Sequence, residues 1–146
     1  MTSHSLLAHG ADVNEPGPHQ ESPLAWASIT GKLEVVRVLI NNGANVYSWD
    51  KYGGTPLHRA LRFGHHDIAR LLLDHGSNIN AKKQDGWSSL HLASGNDHAE
   101  VVQLLLKRGA GVEIMNSEGR TPVDEALRTG ESKIAGLLSQ RNVRKV

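Results

Sequence analysis

The sequence contains no cysteine among its 146 residues. This absence excludes a disulfide framework, a thiol nucleophile and a zinc site with cysteine ligands. No apolar run approaches the roughly 18 residues that a membrane-spanning helix needs, and the first ten residues lack the charged and apolar regions of a signal peptide. We therefore expect a soluble protein of the cytoplasm that does not associate with membranes, with the nucleus as the alternative location.

The net charge of the chain is small, and aromatic residues are few. Sixteen Lys and Arg oppose fifteen Asp and Glu, a formal net charge of +1, which argues against a dedicated nucleic-acid-binding protein. Aromatic residues make up 4% of the chain, as three Trp, two Tyr and one Phe. Glycine, in contrast, occurs 15 times in a sequence that is not of low complexity, so the positions of the glycines become informative.

The glycines reveal an internal repeat of constant period. Four Gly-Ala or Gly-Ser pairs are evenly spaced along the chain, and they begin at Gly10, Gly43, Gly76 and Gly109. Four segments that start with Ser or Thr have the same spacing, and they begin at Ser22, Thr55, Ser88 and Thr121. Such self-similarity is the signature of a repeat protein.

One repeat predicts two helices and a loop. Thr55 is a suitable N-cap, and Pro56 follows at the first helical position, where its missing N–H costs nothing. Leu57, Ala60 and Leu61 then form an apolar face, and Gly64 is placed to end the helix. A second apolar helix runs to the next glycine, and the polar residues 78–86 favour a hairpin-like loop.

The motif Thr-Pro-Leu-His-x-Ala at residues 55–60 and the motif Leu-Leu-x-x-Gly-Ala-Asp-Val-Asn at residues 6–14 resemble those of the ankyrin repeat. The resemblance covers nearly the whole chain. It implies an all-α solenoid of helix-turn-helix-hairpin units, about four and a half repeats long, that binds a partner protein. The predicted units are a partial repeat at 1–16, three full repeats at 17–49, 50–82 and 83–115, and a C-terminal capping repeat with a short basic tail at 116–146.

The two ends of the chain are unequal. Residues 1–16 contain the end of a second helix but no first helix, which leads us to expect the C-terminal part of a longer array. The alternative function is therefore a regulatory or sensor domain of a larger multidomain protein whose activity lies upstream. We expect a monomer, with dimerisation through the uncapped N-terminal end as the alternative.

Catalytic and metal-binding patterns are missing from the sequence. It contains no G-x-S-x-G motif, no P-loop and no H-E-x-x-H motif. Similar repeats also lack the convergence of unlike groups that an active site requires. The nine His residues include His58 and His91 at the position that is structural in ankyrin repeats. We predict no enzyme activity, no cofactor and no metal site.

The resemblance implies that the hairpin tips and one face of each first helix form a concave groove. Positions four, seven and eight after the Ser or Thr cap share that face. The predicted partner-binding residues are Trp26, Trp49, Lys51, Tyr52, Arg59, Arg62, Phe63, Asp85, Trp87, Arg120 and Arg128. Exposed Trp, Tyr and Arg dominate interface energetics, although local packing remains an alternative, above all for Trp26 and Trp49.

Two further expectations concern charge and modification. Charged residues in and around the predicted groove comprise seven cations and five anions, which slightly favours a partner with an acidic surface. The cations are Lys51, Arg59, Arg62, Lys82, Lys83, Arg120 and Arg128, and the anions are Glu21, Asp50, Asp85, Glu118 and Glu125. The resemblance also suggests Asn14 and Asn80, at the ends of their repeats, as asparaginyl-hydroxylation sites.

Overall fold

The computed structural model describes residues 14, 16, 21–95 and 98–145 of the chain. Apart from Asn14 and Pro16, the partial repeat predicted over residues 1–16 lies outside the described residues. Eight helices and no strand occur in the part that is described, and the predicted all-α fold is confirmed. The helices are α1 (Pro23–Thr30), α2 (Leu33–Asn41), α3 (Pro56–Arg62), α4 (His66–Asp74), α5 (Ser89–Gly95), α6 (Ala99–Lys107), α7 (Pro122–Arg128) and α8 (Ser132–Lys145).

The first helices begin where the Ser and Thr caps predict. The Thr55 hydroxyl accepts a hydrogen bond from the His58 amide at 3.3 Å, and the His58 Nδ1 accepts one from the Thr55 amide at 3.0 Å. In α7 the same reciprocal pair forms between Thr121 and Asp124. Such capping boxes satisfy backbone donors that a helix end leaves unpaired, so Asp124 replaces the histidine without loss of the cap.

The turn between α1 and α2 requires glycine for two reasons. Gly31 has a φ of +77°, and a Cβ atom built there would lie 2.6 Å from Cε1 of His65. The His65 ring can therefore lie against the turn, where its Nε2 donates a hydrogen bond to the Ile29 carbonyl at 3.0 Å. This contact ties the second pair of helices to the turn of the first pair.

The chain divides into two compact units. The first ends at Asn78 and contains α1 to α4: α1 packs on α2 and α3, and α4 packs on the same two helices. Its core includes Leu24, Val36, Leu57, Leu61 and Leu72. The two pairs of helices in this unit, α1 with α2 and α3 with α4, fall in the predicted repeats 17–49 and 50–82.

The second unit begins at Ile79 and contains α5 to α8: α5 packs on α6 and α7, and α8 packs on the same two helices. Its core includes Leu90, Val102, Leu105, Ile134 and Leu138. None of the helices in the described part of the chain is long and apolar enough to cross a bilayer.

Candidate functional site

The hairpin before α3 is held by one carboxylate. The backbone N–H of Asp50 donates to the Gly54 carbonyl at 3.0 Å. The side-chain Oδ1 of Asp50 accepts from the amides of Tyr52 and Gly54, at 2.9 and 3.0 Å. The loop is therefore fixed around a buried acceptor, and Tyr52 lies at its tip.

Arg59 of α3 binds the other oxygen of this carboxylate. Its Nε donates to Oδ2 of Asp50 at 3.0 Å, and a terminal guanidinium nitrogen donates to the same oxygen. The Arg59 side chain is only 15% exposed and that of Asp50 only 6%. Burial alone would raise the pKa of Asp50, but the hydrogen bonds from Arg59, Gly54 and Tyr52 outweigh it and hold the pKa below its ordinary value. Arg59 is thus paired inside the molecule, although we predicted it as a partner-binding residue.

The Arg59–Asp50 pair also shows which helix face adjoins the hairpin. Positions i, i+3 and i+4 share one face of a helix, so the side of α3 that reaches Asp50 also carries Arg62 and Phe63. Both of these side chains are exposed. The hairpin tip and this helix face therefore form one continuous surface within the first unit.

Four aromatic residues at positions predicted to line the groove are exposed in the first unit. They are Trp26 (52% exposed), Trp49 (72%), Tyr52 (54%) and Phe63 (48%), and we call these four residues the aromatic face. Trp26 occupies the position of α1 that Arg59 occupies in α3, one repeat later. Any local packing of Trp26 and Trp49 leaves at least half of the surface of each residue open to solvent.

Two cations lie over rings of the aromatic face. Nζ of Lys51 is 5.1 Å from the Tyr52 ring centroid, and Cζ of Arg62 is 5.8 Å from the Phe63 ring centroid. At such distances the negative face of a ring attracts a cation. Both cations therefore have a favoured position on the surface while remaining exposed to solvent.

In the second unit, Trp87 is placed differently from the four residues of the aromatic face. It is only partly exposed, and its ring centroid lies 5.8 Å from that of His91. Asp85 is exposed, its Oδ1 accepts from the Trp87 amide at 3.2 Å, and its Oδ2 is 4.0 Å from Nζ of Lys83. The hairpin before α5 thus has its own internal contacts.

His91 links that hairpin to the next one. Its Nδ1 accepts from the Ser88 amide at 3.1 Å, so Nε2 carries the proton, which it donates to the Arg120 carbonyl at 2.8 Å. Burial lowers the pKa of His91, although the Arg120 carbonyl and the charge of Glu125 oppose this shift. His91 is therefore a buried, neutral structural residue.

Arg120 and Arg128 both approach the buried carboxylate of Glu125. Arg128 donates to Oε2 of Glu125 at 3.0 Å, and Arg120 lies 3.5 Å from Oε1. Arg120 also pairs with Glu118 at 2.8 Å. Hydrogen bonding to Glu125 raises the pKa of Arg128. These two predicted partner-binding residues are half-exposed cations that already have anionic partners.

Asn14 and Asn80 support neighbouring loops. Oδ1 of Asn14 accepts from the Asn45 amide at 2.8 Å, and Oδ1 of Asn80 accepts from the Gly111 amide at 2.8 Å. In both cases the amide that donates lies 31 residues further along the chain, which is close to one repeat. The two asparagines therefore have the same structural role, and their hydroxylation stays a prediction.

Three features of these surfaces differ from the sequence predictions or lie outside them. Asp50 and Glu125, two of the five anions expected at the groove, are both buried. Tyr47, for which the sequence predicts no role, is 57% exposed and occupies the register position of Asn14 and Asn80. One sequence feature could have indicated buried polar groups at these positions. Asp50 and Arg59 are polar residues nine positions apart, and the same spacing separates Asn116 and Glu125 in the last repeat.

Among the described residues, no three His, Asp or Glu side chains come together in a way that could hold a metal ion. Comparison with protein families matches the chain to the model described as ankyrin repeats (3 copies), over residues 3–83 and 76–146. No curated protein matches the chain. The family match therefore rests on nearly the full length of the sequence.

Proposed function

Since the chain belongs to the ankyrin-repeat family, whose repeats are generally protein–protein interaction modules, we propose that it binds a partner protein through the aromatic face of its first unit. Binding uses the hairpin tip with Trp49 and Tyr52 together with the first-helix positions of Trp26 and Phe63. These are positions that line the predicted groove.

The observation that carries this proposal is the exposure of the aromatic face. The chain has only six aromatic residues, and five of them, the four of the aromatic face and Tyr47, leave about half or more of their surface in water within the first unit. Exposed apolar groups gathered on one surface mark interaction sites, and Trp and Tyr are enriched among the residues that dominate binding energy. A purely structural role would favour burial of these large side chains.

We propose a smaller contribution from the second unit. Trp87 already contacts His91, and Arg120 and Arg128 are already paired with Glu125. Asp85 is the most exposed of the predicted residues in its hairpin. These four residues would add a separate and weaker set of contacts with the partner.

The role we propose is binding without catalysis, because ankyrin-repeat proteins are typically non-enzymatic scaffolds. The repeats hold the aromatic side chains on helices and braced hairpins, so little ordering is needed when a partner docks. The exposed cations on the same surface favour a partner with negative charge.

Site-specific photocrosslinking tests the proposal. A photoreactive phenylalanine analogue is introduced in place of Tyr52, and in place of Gln103, an exposed residue of α6. We expect a distinct crosslinked partner from position 52 and not from position 103. The partner is then purified and its affinity measured. Equal crosslinking of one partner from both positions, or from neither, would contradict binding at the aromatic face.

A further inference from the structure

The distribution of charge over the first unit separates two sides of it. Three of its described carboxylates, Glu34, Asp67 and Asp74, lie on the second helices α2 and α4. Asp50 lies on the hairpin side but is buried and paired with Arg59. Glu21 is half-buried, with its Oε2 inaccessible. Among the described residues of the first unit, the side formed by the hairpin and the first helices therefore presents little negative charge to solvent.

Lys51 and Arg62 are exposed cations on that side. Among the described residues neither forms an ion pair, and each lies over the ring of the residue that follows it. Arg59 does not add to them, because its guanidinium is neutralised by Asp50. The positive charge available to a partner at the aromatic face thus comes from two side chains in defined positions.

On the basis of the function proposed above, we propose that the aromatic face binds an acidic segment of its partner, whose carboxylates pair with Lys51 and Arg62 and whose apolar side chains pack on the exposed rings. A ring that holds a cation over one face reduces the side-chain freedom that the cation loses on binding. A carboxylate can approach each cation from solvent without breaking an existing ion pair. The two cations, and not Arg59, then determine the preference for acidic ligands.

Fluorescence anisotropy with the full chain tests the assignment. The probe is a short fluorescein-labelled peptide in which Glu alternates with Leu, and a second peptide of equal length has Gln in place of every Glu. The double variant Lys51→Gln/Arg62→Gln removes the two cations. The matched control Lys32→Gln/Arg70→Gln removes two exposed cations of the second-helix side of the same unit, with the same change in net charge.

We expect the Glu peptide to bind the parent chain at least tenfold more tightly than the Gln peptide. The change at Lys51 and Arg62 should weaken binding of the Glu peptide at least tenfold, and the control change less than threefold. Equal losses in both double variants would indicate general charge attraction and would overturn the assignment. Binding of the Gln peptide as tight as that of the Glu peptide, or no binding of the Glu peptide, would overturn it as well.

A second measurement separates this inference from the proposed function. The crosslinked partner is titrated against Lys51→Gln/Arg62→Gln and against Trp49→Ala. Loss of affinity in both variants supports both proposals. A loss confined to Trp49→Ala leaves partner binding at the aromatic face intact and overturns the acidic assignment, whereas no loss in either variant overturns both. Displacement of the Glu peptide by a single-stranded oligonucleotide at lower concentration than by unlabelled peptide would assign the surface to nucleic acid instead.

Discussion

Arg59 and Arg62 lie one helical turn apart and differ completely in their surroundings. Arg59 is bound to a buried carboxylate that also holds the hairpin, and Arg62 extends over the Phe63 ring into solvent. An ion pair with little solvent contact leaves a costly unpaired charge when one partner is removed, whereas an exposed cation contributes little to stability. The same residue type thus has a structural role at one position and is free for recognition at the other.

Arg59→Gln and Arg62→Gln form a matched pair. At pH 7 we expect Arg59→Gln to lower the free energy of unfolding by about 2 kcal/mol, because the Asp50 carboxylate is left buried without its cation. Arg62→Gln should change it by less than about 0.5 kcal/mol. Urea denaturation followed by circular dichroism measures both.

The pH dependence of that difference checks its cause. Arg59 helps to hold the pKa of Asp50 below its ordinary value. The stability that the pair contributes is therefore complete at a pH above the ordinary pKa of an aspartate, and it is lost as the pH falls through the lower pKa of the folded state. The two variants should therefore converge in acid. Equal stabilities at pH 7 would contradict the structural role of Arg59.

Ser94 and Ser28 occupy the same repeat position and are both buried. The Ser28 hydroxyl donates to the Leu24 carbonyl at 2.8 Å, whereas the Ser94 hydroxyl has no hydrogen-bond partner within the described part of the chain. We expect Ser94→Ala to raise the free energy of unfolding by about 1 kcal/mol, and Ser28→Ala to lower it by up to about 1 kcal/mol. Thermal denaturation of the two variants side by side distinguishes them, and a loss of stability in both would show that the Ser94 hydroxyl is satisfied.

At the scale of elements, the helix starts were predictable and the hairpin contacts were not. A Thr cap, followed by Pro at the first helical position and by His or Asp at the third, specifies a local hydrogen-bond arrangement. Helices α3 and α7 begin as this pattern predicts. The pairing of Asp50 with Arg59 depends on how a loop folds back over the following helix, which the repeat period alone does not define. Five aromatic residues were assigned to the surface from register, but the contact of Trp87 with His91 depends on side-chain rotamers.

His91 connects the start of α5 to the loop before α7, and this connection predicts a pH dependence. Because burial lowers the pKa of His91 in the folded state, the unfolded chain binds a proton first as the pH falls below about 6.5. The stability that neutral His91 contributes is thus complete above that pH and is lost as the pH approaches the folded-state pKa.

We expect the parent chain to lose stability from pH 7.5 to pH 5.5 more steeply than His91→Gln, by up to about 1 kcal/mol. Urea denaturation at the two pH values, with both proteins in the same buffers, measures this. The variant should be less stable at pH 7.5, because the hydrogen bond to the Arg120 carbonyl is weakened. Identical pH dependence in the two proteins would contradict a buried neutral His91.

At the scale of the whole molecule, both units expose large apolar side chains, but they differ in kind. The first unit exposes the four residues of the aromatic face, together with Tyr47, and the second exposes Met115 and Leu127. Hydrophobic exposure alone would make all of these side chains equally suited to binding. The proposed function instead assigns the binding energy to the aromatic face, where rings and cations occur together.

The affinity of the crosslinked partner for two double variants shows whether the aromatic face is the recognition surface. Trp49→Ala/Phe63→Ala removes two exposed side chains of the aromatic face, and Met115→Ala/Leu127→Ala removes two that are exposed to a similar extent in the second unit. Isothermal titration calorimetry should show at least a tenfold loss for the first variant, about 1.4 kcal/mol or more, and less than a twofold loss for the second, with helical circular dichroism unchanged in both. Equal losses, or a loss confined to the Met115 and Leu127 variant, would contradict recognition through the aromatic face.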